Sequence, residues 1–244
     1  MSLAMSDLAM LVLQIPPFLS PKIAGRWLGG FYLCQISGYS VAFLASVSLQ
    51  TMALMALDRH FRIAHPLRHR TLFNMKRTKV MTVASWMFSS TVQLPYVANG
   101  GIYTFHSGKC ICFVDSSPLA IIGISYIVIP SFIVHHFYLK VYLALRARKR
   151  RVENLQSQDS HTHMMTTQEI KLTKTIMVTV LAYAICWAPV MITDLVDQIR
   201  GGWALPRGVY VMYTICGIAS SCINPVIYGI MNKSFRREYI RLLR

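Results

Sequence analysis

Of 244 residues, 54% are hydrophobic and 14% charged, against about 25% charged in a soluble domain, and the apolar residues gather into blocks of membrane-crossing length. That excludes a water-soluble domain and marks an integral membrane protein. The net charge of +16 is compatible with nucleic acid only if it forms one solvated surface, and it does not.

Six apolar blocks are predicted as spanning helices, near 2–20, 31–57, 80–98, 118–145, 170–196 and 208–231. The first places Asp7 six residues into an apolar helix, where a carboxylate needs a proton, an ion partner or hydrogen bonds. It lacks a basic leader region and a small-residue cleavage site, so it is not read as a signal peptide. The second block runs from Cys34 to an abrupt charged end at Asp58-Arg59-His60. As a helix, Cys34 to Asp58 is about 36 Å long, enough to cross a hydrocarbon core of about 30 Å. Val41, Ala45, Ser48, Met52, Met55 and Arg59 recur at steps of four and three, so they share one face.

A basic loop follows the second block, and block three carries Trp86 and ends near Pro95. Block four centres on Pro130 and continues through Tyr138 into RARKRR (146–151). Segment 152–168 is polar and is predicted to be a flexible cytoplasmic loop. Block five begins at Glu169 and reaches CWAP (186–189), where Pro189 removes a backbone hydrogen bond and predicts a kink. Block six holds Ser220, Ser221, Asn224 and Pro225. Basic and apolar residues alternate over the last dozen positions, as in an amphipathic helix lying along the inner leaflet.

All but Lys22, Arg26, Lys109, Arg200 and Arg207 of the 25 Lys and Arg fall on the side of Asp58-Arg59. By the positive-inside bias that side is cytoplasmic. The basic charge therefore meets lipid head groups and cytoplasmic partners, not nucleic acid. Cys34, Cys110 and Cys112 lie on the outer, oxidising side, where a disulfide persists. No phosphate-cradling glycine loop, metal-ligand spacing or nucleophile elbow is present, so no enzyme is expected.

The order of SLAMSD, Cys34 with DRH 24 residues later, Trp86, Pro130 with Tyr138, CWAP, and NPVIY followed by Phe-Arg-Arg resembles the rhodopsin-like (class A) G-protein-coupled receptors. AICWAP (184–189) and the stretch 221–239 are most similar to the melatonin receptors within that family. The resemblance implies an all-α transmembrane bundle of the seven-helix type, forming a single domain over 1–244. Six spans and a C-terminal amphipathic helix would be present, in the cell membrane. The Asp7 helix resembles the family's second, so the first helix is expected to be missing.

Carried over residue by residue, the resemblance implies that Arg59 meets a heterotrimeric G protein. Asp58 and Glu169 would hold it at rest, beside His60, with Tyr138 and Tyr228 filling the gap on activation. It implies a ligand pocket from Val41, Ala42, Ala45, Tyr126, Trp187, Val190, Asp194 and Thr214, a largely apolar set with one acid near the rim. The expected ligand is small and largely apolar or weakly polar. Val41 stands where amine receptors carry an aspartate, and Ile218 where opsins carry the retinal lysine. No cofactor is expected beyond an allosteric sodium ion at Asp7, Ser48, Ser220, Ser221 and Asn224; the alternative is a protonated Asp7 bonded to Asn224. Cys34 is expected to bond Cys110, with Cys112 the close alternative. The competing functional reading is a truncated, non-signalling form that is retained or pairs with a complete receptor.

Overall fold

The structure is a computed structural model describing residues 1–91, 94–114, 130–147, 160–203, 205–232, 236–237 and 240–241, with the backbone alone for 160–169. The elements are α1 (Ser2–Ala24), α2 (Gly30–Ala64), α3 (Pro66–Leu72), α4 (Met75–Ser90), α5 (Leu94–Ala98), β1 (Thr104–His106), β2 (Ile111–Phe113), α6 (130–147), α7 (Ser160–Arg200) and α8 (Arg207–Met231). Among the described residues, four helices are long and apolar enough to cross a membrane: Ser2–Ala24, Gly30–Ala64, Ile170–Arg200 and Arg207–Met231. They coincide with predicted blocks one, two, five and six.

Helix ends follow local chemistry. α2 stops at His65 because the residue before a proline disfavours helical backbone, and Pro66 then opens α3 as its first residue, the helical position a proline suits best. α4 begins where the Asn74 side chain accepts the Arg77 amide at 2.8 Å, an N-cap. Predicted block three divides into α4 and α5. The Thr91 amide closes α4 on the Phe88 and Ser89 carbonyls, and α5 carries Pro95. Block four is described only from 130 onward.

Block five extends further than predicted. Residues 160–168, assigned to the flexible loop, are helical, since α7 begins at Ser160. No Gly or Pro interrupts 160–188, and its Met, Gln, Glu and Lys are good helix formers. The C-terminal segment is helical at 236–237 and 240–241.

Beside an apolar core, the bundle buries many small polar residues and turns large apolar ones outward. Ser6, Gln14, Ser37, Ser40, Ser46, Ser48 and Ser89 are buried, while Leu8, Val12, Val83, Met87, Ile185, Ile192 and Ile230 are exposed. Lipid tails are as apolar as leucine, so helices in a bilayer gain little by hiding large apolar side chains. They pack through small residues and hydrogen bonds instead. Gln14 Nε2 donates to the Ser37 carbonyl at 3.0 Å and to Ser40 Oγ at 2.8 Å, joining α1 to α2. Trp86 Nε1 donates to Ser2 Oγ at 2.9 Å, joining α4 to α1. Of the α2 face read from the sequence, Ala45, Ser48 and Met52 are buried and Val41, Met55 and Arg59 partly so.

A two-stranded antiparallel hairpin, absent from the sequence reading, covers the outer end. Phe105 pairs with Cys112 and His106 with Ile111. Gln35 on α2 reads both edges of Tyr103, donating to its carbonyl at 2.8 Å and accepting its amide at 3.0 Å. A Cβ on Gly38 would lie 2.5 Å from the Tyr103 ring, so glycine permits this approach.

Candidate functional site

The hairpin decides the disulfide. Cys34 bonds Cys112, with Cα atoms 5.3 Å apart, and Cys110 is a buried free thiol. The expectation of Cys110 is corrected. Cys112 sits in β2, facing α2 with Tyr103 and Cys34. Cys110 instead occupies the turn with φ 54°, and its Sγ donates to the Ser107 carbonyl. The sequence alone did not show that Cys110 ends a turn while Cys112 lies in a strand.

At the inner end, Asp58 Oδ2 lies 3.4 Å from Arg59 Nε, and Asp58 Oδ1 lies 2.7 Å from His69 Nε2. α3 therefore supplies a partner that the sequence reading missed. The signal was present in Pro66, which starts a helix that returns His69 to Asp58. The His60 ring meets Phe137 of α6 at 6.0 Å. Tyr138 is buried, donates to the Met52 carbonyl at 3.3 Å and lies within electrostatic reach of Tyr228 and Arg59. Tyr228 shares a hydrogen bond with Thr179. The Glu169 side chain lies outside the described residues.

In the middle of the bundle, Asn224 Nδ2 donates to Asp7 Oδ2 at 2.7 Å, and Ser221 lies close enough to act on the same carboxyl. Ser48 Oγ lies 2.9 Å from Ser6 Oγ, while Ser220 turns back to the Gly217 carbonyl at 2.7 Å. Asn224 Oδ1 is buried with no hydrogen-bond partner among the described residues. One carboxylate, an unused amide oxygen and hydroxyls are the donor set a hard cation takes. Above them, Tyr183 stacks on Trp187 at 5.7 Å and donates to the Ala45 carbonyl at 3.0 Å.

Val41, Ala45, Trp187 and Val190 join one core cluster, and Ala42 is partly buried beside them; Tyr126 lies outside the described residues. Asp194 and Thr214 meet through a residue that the sequence reading passed over. Lys109, in the hairpin turn, places Nζ 2.9 Å from Asp194 Oδ1, and its carbonyl accepts Thr214 Oγ1 at 2.7 Å. Its side chain is wholly buried. Burial pushes the ammonium below its ordinary value, opposed by Asp194. The Lys109 amide donates to His106 Nδ1 at 2.9 Å. Burial, and then Lys109, pushes that imidazole down, opposed by Asp197.

Residues 1–228 match the 7 transmembrane receptor (rhodopsin family). The chain is 27% identical over 248 residues to the melatonin receptor type 1C of Gallus gallus, covering 99% of itself and 70% of that protein. It is 26% identical over 269 residues to the 5-hydroxytryptamine receptor 4 of Homo sapiens, covering 69% of that protein. Its fold matches squid rhodopsin with a TM-score of 0.83 at 20% identity, over 97% of this chain and 71% of that one.

Proposed function

The chain belongs to the rhodopsin family of seven-transmembrane receptors, and from that premise we propose that it is a cell-membrane receptor that activates heterotrimeric G proteins through Arg59. The observation that carries the reading is the inner cluster. Arg59, 14% exposed, is held against Asp58, which is itself held by His69. Tyr138 and Tyr228 stand close by. A charged group kept at the mouth of an apolar helix bundle is costly, so the cluster is read as a switch. Glu169 completes the resting clasp.

The ligand is a small molecule with a largely apolar body. It contacts Val41, Ala42, Ala45, Tyr126, Trp187 and Val190 and reaches Asp194 and Thr214 at the outer rim. Agonist binding shifts a two-state equilibrium through its differential affinity for the two states. Sodium at Asp7, Ser48, Ser220, Ser221 and Asn224 favours the resting state, a role supported by the unused Asn224 oxygen.

The test is guanine-nucleotide exchange. The chain in lipid nanodiscs should accelerate GDP release from at least one class of purified G protein, and Arg59→Ala should return the rate to the uncatalysed one. Acceleration of none, or acceleration unaffected by Arg59→Ala, overturns the reading.

A further inference from the structure

Lys109 is the most deeply buried cation among the described residues, and its surroundings are built for an ammonium. Nζ lies 3.9 Å from the Tyr213 ring centroid, 4.3 Å from Phe113, 4.9 Å from Trp203 and 5.9 Å from Tyr210. Cations are attracted to the faces of aromatic rings within about 6 Å. Asp194 Oδ1 accepts from the ammonium at 2.9 Å, and Tyr213 donates to Asp194 Oδ2 at 3.1 Å. Cage and carboxylate thus converge on one point.

The carboxylates that act directly on that point outnumber its one ammonium. One turn along α7, Asp197 is 5% exposed and acts electrostatically on both Lys109 and His106. Its Oδ1 accepts from the Tyr210 hydroxyl at 2.8 Å. Its Oδ2 is buried with no hydrogen-bond partner among the described residues. Two carboxylates therefore share one ammonium, and one acceptor is unused. A buried carboxylate oxygen without a donor is costly. Trp203 and Tyr210 also line a cleft of about 910 Å³ beside the hairpin turn, with Lys22 and Arg207 on its wall, large enough to admit a small molecule.

We propose that Asp194, Asp197, Phe113, Trp203, Tyr210 and Tyr213 form an ammonium-recognition subsite whose built-in occupant is Lys109. The subsite takes from outside a small organic cation with a primary ammonium, by exchange with the lysine. The proposal deepens the proposed ligand pocket, and rests on it, by giving the ligand's apolar body a cationic end. Exchange of one ammonium for another keeps the desolvated cage as neutral as before, which removal of Lys109 alone does not. A primary ammonium has the N–H donors that both aspartates need; a quaternary one satisfies the rings alone.

The experiment uses n-butylammonium, which carries the four carbons and the ammonium of the Lys109 side chain, one carbon more than Lys109→Ala removes. In detergent, Lys109→Ala should gain thermal stability saturably with n-butylammonium. Half-saturation should come at a concentration at least tenfold lower than in the unaltered chain or in Lys109→Ala/Asp194→Asn. Tetramethylammonium should be the weaker ligand. No saturable gain, or one that survives Asp194→Asn, overturns the proposal. If Lys109→Ala does not reach the membrane, growth with n-butylammonium has to restore its surface level, and failure to do so overturns it equally. These readouts report binding alone, so they separate failure of this subsite from failure of G-protein activation through Arg59.

Discussion

His69 Nε2 lies 2.7 Å from Asp58 Oδ1, so the short helix α3 holds the carboxylate that flanks Arg59. His69→Ala removes a hydrogen bond to a charged group, about 1.5–3 kcal/mol. To the extent that the bond belongs to the resting state, the equilibrium moves toward the active one. Basal GDP release should rise, by at most about 10- to 150-fold, since 1.4 kcal/mol is tenfold, at equal surface expression. His69→Gln, which keeps a donor, should stay closer to the unaltered chain. An unchanged rate in His69→Ala removes α3 from the switch.

The bridge from Cys34 to Cys112 closes a separation of 78 residues. A loop of that size corresponds to about 4 kcal/mol in the chain-entropy account. Cys112→Ser should abolish or sharply lower surface expression, and Cys110→Ser should leave it near normal. Immunostaining of intact cells reads both. The reverse pattern would falsify the pairing.

Gln14 is 2% exposed and ties α1 to α2. Hydrogen bonds between membrane helices are worth about 0.6 kcal/mol on average, and stranded partners add to that. Gln14→Leu should therefore cost about 1–2 kcal/mol, read as a melting point lower by several degrees in detergent. Equal melting points would mean that Ser37 and Ser40 are satisfied without it.

The proposed sodium site has a direct test: sodium in place of potassium at constant ionic strength should lower basal GDP release. Asp7→Asn should abolish the difference between the two salts. Sodium sensitivity that survives this substitution places the ion elsewhere.

The His106 imidazole is pushed below its ordinary value of 6.5 by burial and by Lys109, with Asp197 opposing. Trp203 and Tyr210 pack against the ring, and Lys22 and Arg207 line the same cleft. A base whose folded pKa is depressed binds fewer protons folded than unfolded below 6.5. Stability is therefore full above 6.5 and lost as the pH falls through that value toward the folded pKa. The melting point should fall between pH 7.5 and 5.5, and His106→Asn should shrink that fall. An equal fall in both chains assigns it to other groups.

Much of this fold was legible because a membrane imposes length and charge rules on single helices. Blocks one, two, five and six and the inward face of α2 needed no partner to be recognised. Asp7 and Asn224 also announced themselves, as polar groups in apolar runs that need a partner. What the sequence hid was anything set by one loop folding onto a distant helix. Lys109 reads as an outer-loop charge until the turn from Ser107 to Cys110 carries it to Asp194, 85 positions away. His69 reads as one base among many in the inner loop until Pro66 starts α3. Ser107-Gly108 marks a turn, but Cys110 and Cys112 were indistinguishable because nothing in it says that Cys110 ends the turn and Cys112 enters the strand that faces α2.

The bond from Asn224 to Asp7 spans 217 positions, and that distance is also a delay. At about 5–20 residues per second of synthesis, Asn224 emerges roughly 10–40 s after Asp7. Through that interval α1 has to reside at the translocon or in the bilayer with its acid unmatched by α8. Asp7 thus keeps an unmet acceptor until α8 has been made. A ribosome stalled before Asn224 leaves a chain whose first helix still presents an unmet polar group. Biogenesis, more than the finished bundle, is where loss of Asn224 should first be felt.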